Sequence, residues 1–307
     1  MPVPITVSSV PGMYHDSRVR VFRRHFSVPG EFDDMQVDTY AVISERYLII
    51  CDTALCPEDM ATVMEELRGE PAGRQLLVFN SHADWDHTWG NACFTGEHVA
   101  PIIGHEECRE RLLSDEARTE LEDFKQRYTL FQNVVLTPPT LTFTSAFNIY
   151  GGDLTLEIFH APGHCPDHCA IWIPQLRLLL AFDAVEWPLP GLRDANSFPM
   201  MIATLERFKA LQPLHVFCSH GQTTRPQLID ENLAYLHSIE QRARALLLTH
   251  RPTPGELEQP SALINYPFDE AIAGTASSGA AIDRTYYGYA HDSNIRSIIQ
   301  WLLNKMS

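Results

Sequence analysis

The sequence predicts a mixed α/β fold (α/β or α+β), with a sheet-rich core and helices outside it. Three observations carry this reading. Short apolar runs alternate with helix-period segments along all 307 residues. Hydrophobic residues make up 45% of the chain, enough for a sizeable core. No repeat, low-complexity tract or linker interrupts the pattern, so a single domain over residues 1–307 is expected, with 222–307 as a helical extension packed on it.

The elements follow in order. Val19–Phe26, Thr39–Ser44 and Tyr47–Cys51 read as strands separated by turns. Pro57-Glu58-Asp59 opens a helix, since proline suits the first turn and acids suit its positive end. Met60, Val63, Met64 and Leu67 give that helix an apolar stripe, and Gly69 can end it. Leu76–Phe79 is a buried strand. A long polar helix is expected over much of Glu106–Tyr128, with Leu121, Phe124 and Tyr128 turned inward. Strands follow at Leu141–Phe143, Leu154–His160, Ala170–Ile173 and Leu178–Phe182. Met201–Leu211 reads as a helix, Leu214–Cys218 as a strand, and Leu228–Leu248 as a longer helix. Arg251–Pro260 is a proline-rich loop, and Asn294–Lys305 closes the chain as a helix with Ile295, Ile298, Ile299 and Leu302 at helical spacing.

Composition excludes several function classes. The formal net charge of −16 repels polyanions, and no Lys/Arg cluster is available to line a nucleic-acid groove. No apolar run is long enough to span a bilayer. The first twenty residues lack a basic start followed by an apolar stretch, so a cytoplasmic location is expected. The seven cysteines are odd in number and include no CxxC pair, which argues for reduced thiols.

The chemistry is concentrated in ligand-type residues just beyond strands. Asn80–Asn91, "NSHADWDHTWGN", follows a buried strand and packs His82, Asp84, Asp86 and His87 into six residues. His164 in "HAPGHCPDH", Asp183 in "LLLAFDAVEW" and His220 in "VFCSHG" each follow an apolar run in the same way. Imidazole suits zinc and iron, and a carboxylate can bridge two cations. Two metals sharing a water lower its pKa and supply hydroxide near neutral pH. His105 and His168 lie near these motifs but match no ligand position.

"HADWDH", "APGH", "FDA" and "SHG", in that order, resemble the metallo-β-lactamase superfamily, whose motif is HxHxDH, then a lone His in a Pro-Gly-His turn, a bridging Asp and a final His. The resemblance runs from about Thr39 to Gly221. It implies the metallo-β-lactamase fold, an αββα four-layer sandwich, with two divalent metals at one edge of the sheets. By position it implies that His82, Asp84 and His164 hold the first metal, that Asp86, His87 and His220 hold the second, and that Asp183 bridges them. Asp86 is the catalytic candidate, able both to hold its metal and to accept the proton of the attacking hydroxide. Zinc is the default metal, with iron or manganese as options. The expected activity is hydrolysis of a small ester, lactone, thioester or amide-like substrate. The oligomeric state stays open, a homodimer among the options.

Asp84 departs from the family pattern, which has His there. Three carboxylates, two divalent metals and a bridging hydroxide sum to about zero charge, against about +1 with His. The more neutral site should acidify its water less, and the added oxygen donor shifts preference toward harder metals. Asp84 also brings in a rival, because the di-iron flavodiiron proteins share the fold and carry HxExDH. They reduce O₂ or NO, but with a flavodoxin domain that has no counterpart after His220. A non-catalytic metal-binding sensor or carrier is the third reading. For substrate contacts, the loop 186–199, Trp85, Trp89 and the segment Tyr286–His291 are candidates, with Tyr287 and His291 as hydrogen-bond donors. The pattern favours the plainer alternative, that these aromatics pack the last helix onto the sheet.

Overall fold

The computed structural model describes residues 7–28, 30–96, 98–275 and 281–306. The first six residues, part of the stretch read for a leader, lie outside the described residues. The chain forms two compact units. The first comprises residues 1–26, 36–160 and 167–176; the second comprises 27–35, 161–166 and 177–307.

The first unit carries most of a seven-stranded sheet in the order β1 to β7, with β1 at Ser8–Ser9, β2 at Val19–Val28, β3 at Phe32–Ile43, β4 at Tyr47–Cys51, β5 at Gln75–Phe79, β6 at Ile102–His105 and β7 at Leu141–Phe143. β3 and β4 are antiparallel, and from β4 to β7 the strands run parallel. The parallel step from β4 to β5 needs a crossover, and helix α1 (Pro57–Glu66) supplies it. Its Met60, Val63 and Met64 pack on Leu48, Ile50 and Val78. The register pairs Cys51 with Phe79, so β4 and β5 end at one level and deliver Asp52 and Asn80 to the same edge. β8 (Ala146–Tyr150), β9 (Thr155–His160) and β10 (Cys169–Ile173) form an antiparallel run in the same unit.

Beyond β5 the chain turns through helix α2 (Trp85–Thr88). Asn80 and Asn91, the first and last residues of this stretch, close it by reciprocal amide hydrogen bonds of 3.0 and 2.8 Å. Gly90 is required here, because a Cβ would stand 1.9 Å from the carbonyl oxygen of Thr53. Trp85 and Trp89 anchor the stretch in an aromatic cluster with Phe124 and Phe131.

The expected long helix over 106–128 is two helices, α3 (Glu106–Leu112) and α4 (Asp115–Arg127). Ser114 breaks it by capping α4, its hydroxyl accepting from the Ala117 N–H at 3.1 Å. α3 docks on the stretch after β5 through Ala83, Cys108 and Leu112.

In the second unit, β11 (Leu178–Leu180) and β12 (His215–Phe217) pair in parallel, Leu180 opposite Phe217. Asp183 and His220 therefore leave the same edge. Helices α5 (Ser197–Ala210) and α6 (Gln227–Leu247) are followed by the short α7 (Pro260–Leu263) and α8 (Phe268–Ala273), then α9 (Arg284–Met306). α5, α6 and α9 pack on one another, and Ile295, Ile298, Ile299 and Leu302 form the buried stripe of α9. α9 begins ten residues before the expected start, so Tyr286–His291 lies inside it. No helix among the described residues is long and apolar enough to cross a membrane.

Candidate metal centre

His82, Asp84, Asp86 and His87 belong to the first unit, and the geometry around them begins at Asp52. This residue caps the end of β4 in a left-handed conformation (φ 62°), which aspartate tolerates better than most side chains. Its carboxylate is fully buried and accepts from the Ser81 N–H and the Ser81 hydroxyl, both at 2.7 Å. It also lies 2.9 Å from Nδ1 of His87. A carboxylate only accepts, so Nδ1 of His87 carries a proton, and Nε2 is the ring atom left to face an ion.

The same logic fixes His82. The one proton of the Ser81 hydroxyl goes to Asp52, so at 2.9 Å that hydroxyl accepts from Nδ1 of His82. His82 therefore also presents Nε2. The two rings lie 4.1 Å apart between centroids, and Nε2 of His87 is 3.4 Å from a carboxylate oxygen of Asp86. Nε2 of His82 is 3.6 Å from Oδ2 of Asp84. Imidazoles held through Nδ1 by a carboxylate or hydroxyl leave Nε2 as the ring atom that can bind a divalent metal, so this set fits such an ion.

Asp84 is the N-cap of α2 but makes no capping bond. Its Oδ1 instead pairs with Nη2 of Arg111 on α3, while Nη1 of Arg111 pairs with Asp167. Asp167 is fully buried, and its other oxygen accepts from the Ala83 N–H at 2.8 Å. His168 beside it is buried, its ring 5.2 Å from that of His82. His105 caps α3, accepting from the Glu107 N–H. Behind this loop the thiols of Cys108 and Cys169 are pushed up by burial, and all seven cysteines stand as thiols.

His164, Asp183 and His220 belong to the second unit. Oδ2 of Asp183 lies 3.7 Å from Nε2 of His164 and 3.4 Å from Nε2 of His220, so one carboxylate oxygen faces two imidazoles. Gly163 permits the turn before His164: its φ is +148°, and a Cβ would meet the Met201 backbone at 2.5 Å. The loop 186–199 packs on this set, because a Cβ on Gly191 would lie 3.6 Å from Nδ1 of His164. Two asparagines pin that loop. Asn232 of α6 bonds both the N–H and the carbonyl of Glu186 at 2.9 Å. Asn294 of α9 accepts from the Leu192 N–H at 2.8 Å and donates to the Pro190 carbonyl at 2.7 Å.

Glu186 is a buried acid that the sequence reading passed over. Burial pushes its carboxyl up to about 7, opposed by His220. The Tyr287 hydroxyl donates to it at 2.7 Å. His291 is fully buried: Nε2 donates to the Tyr266 carbonyl at 2.8 Å, and Nδ1 accepts from the Tyr235 hydroxyl at 2.9 Å. Burial holds this imidazole below its ordinary pKa, as its accepting role requires. A substrate contact by Tyr287 or His291 would have to break one of these bonds.

Residues 32–220 match the family model of the metallo-beta-lactamase superfamily. A hydroxyacylglutathione hydrolase of Psychromonas ingrahamii is 29% identical over 105 residues, which is 34% of this chain and 38% of the relative. Among solved structures, a metallo-beta-lactamase family protein from Thermus thermophilus superposes with a TM-score of 0.65 at 17% identity, covering 94% of each chain. A metallo-beta-lactamase from Pontibacter korlensis superposes with a TM-score of 0.58 at 16% identity, covering 75% of this chain and 98% of the other. These structures show the fold expected from the motifs.

Proposed function

The chain belongs to the metallo-beta-lactamase superfamily, and from that premise we propose that it is a metal-dependent hydrolase acting on a small ester, lactone, thioester or amide-like substrate. His82, Asp84 and His164 are the proposed ligands of one ion, Asp86, His87 and His220 those of a second, and Asp183 the ligand common to both. Family membership is what assigns the two sets to one centre. Zinc is the proposed metal. When bound, two divalent ions supply an acidified water as nucleophile and polarise the scissile carbonyl.

The observation that carries the reading is the fixed orientation of His82 and His87, set by Asp52 and Ser81 so that each ring offers Nε2. Asp86 is only 6% exposed and is the proposed acceptor of the proton released on attack. The relative that hydrolyses hydroxyacylglutathione supports an acyl group as the part of the substrate that reacts. A cytoplasmic location and a small molecule, rather than nucleic acid, as substrate belong to the same proposal.

Elemental analysis of the purified protein, with a visible spectrum, tests it. The expected result is about two colourless zinc ions per chain, followed by turnover in a screen of esters, lactones and thioesters. Two irons per chain would instead favour O₂ or NO chemistry. A chain that takes up neither metal when offered would overturn the proposal.

A further inference from the structure

The geometry points to Arg111 as a positioning residue that acts through Asp84 and sets the charge its ligand set presents to a metal. The inference rests on the reading of Asp84 as a ligand. The guanidinium spans two carboxylates, Asp84 through Nη2 and Asp167 through Nη1. It engages Oδ1 of Asp84, while Oδ2 faces Nε2 of His82 at 3.6 Å. One oxygen of Asp84 thus engages a cation, and the other lies on the side of the His82 ring. Arginine suits this role, since its planar fork serves two acceptors at once and never deprotonates.

The carboxylate where the family has a neutral imidazole is thus partly cancelled by a fixed positive charge one carboxylate away. Arg111 is itself held in place, because α3 docks on this loop through Ala83, Cys108 and Leu112. The buried Asp167 is tied to the same loop by the Ala83 N–H. The bridge thus has two arms of unlike consequence. Losing the guanidinium exposes an ion to the whole charge of Asp84. Losing Asp167 leaves the guanidinium to Asp84 alone and cancels more of it.

Zinc affinity of the full-length protein, measured by competition with a chromogenic chelator, reads this directly. Arg111→Gln should tighten zinc by about tenfold, and Asp167→Asn should loosen it by about threefold. Arg111→Lys gives up the planar fork but keeps the positive charge beside Asp84, so it should bind zinc as the parent does, with neither the tightening of Arg111→Gln nor the loosening of Asp167→Asn. Both Arg111→Gln and Asp167→Asn break the same bridge, so both should lower the melting temperature. A bridge that only held the loop together would loosen zinc in both variants. That result, or unchanged affinity in both, overturns the inference. Should Arg111→Gln fail to fold, the comparison of Asp167→Asn with Arg111→Lys decides: looser zinc in the first and parental affinity in the second support it, and any other pair overturns it. A parent chain that binds no zinc overturns the metal reading and this inference with it.

Discussion

The two proposed ligand sets are held by different physics. The set in the first unit sits within six consecutive residues and is organised by charge: Asp52 orients two imidazoles, and Arg111 engages one oxygen of Asp84. The set in the second unit comes from three separate turns and is organised by backbone: Asn232 and Asn294 pin the loop beside it, and Gly163 allows the approach to α5. A short motif brings its donors together by covalent proximity and needs only their protonation and orientation fixed. Donors scattered along the chain need their loops fixed first.

This contrast can be broken at either side. The largest effect is expected at Asp52. Asp52→Asn keeps the shape but replaces a pure acceptor with a mixed one, so the proton arrangement at both histidines is no longer enforced. Metal affinity should fall by about 10- to 100-fold, and melting should show a loss of about 3 kcal/mol for the disturbed buried network. A variant with parental metal affinity would mean that Asp52 does not govern the histidines. Asn232→Ala should come next, costing about 2 kcal/mol because it leaves the N–H and carbonyl of Glu186 without their partner. In the metal-free protein its effect should fall on the second set alone, which His220 and His82 imidazole resonances can separate by NMR. Perturbation of His82 would refute that division.

The remaining test is a dependence on pH. The Glu186 carboxyl lies at about 7 in the fold against an ordinary 4.5. The folded state thus holds a proton that the unfolded chain has released, so this residue's contribution is lost as pH rises from about 4.5 to about 7. Metal-free Glu186→Gln should therefore lose less stability than the parent across that range in denaturant titrations. Parallel pH profiles would remove Glu186 from the account.

Much of the fold was legible because strand and helix periods differ and apolar runs mark the buried strands. Tyr47–Cys51 and Leu141–Phe143 match their expected bounds. β6 escaped notice because four residues containing a glycine, Ile102–His105, make too short a pattern. The break between α3 and α4 was readable in retrospect, since Ser114-Asp115-Glu116 is an N-cap signal inside an otherwise helical run. The ligand-type residues stood out because each follows a buried strand. Their supports did not. Asp52 looks like any acid in a turn, and its role depends on the register that levels β4 with β5. Arg111 looks like one more charge on a solvated helix, and Asp167 like a loop residue. Only the docking of α3 brings them to Asp84.

Cys108 has a consequence of its own. It lies on the face of α3 that presses against Ala83, fully buried and held in the protonated form by its surroundings. A thiol reagent can reach it only when that helix lifts from the loop. Its alkylation rate is therefore a native clock for the breathing of the scaffold behind His82 and Asp84. It needs no label, and it should slow whenever an occupant of that loop holds the scaffold shut.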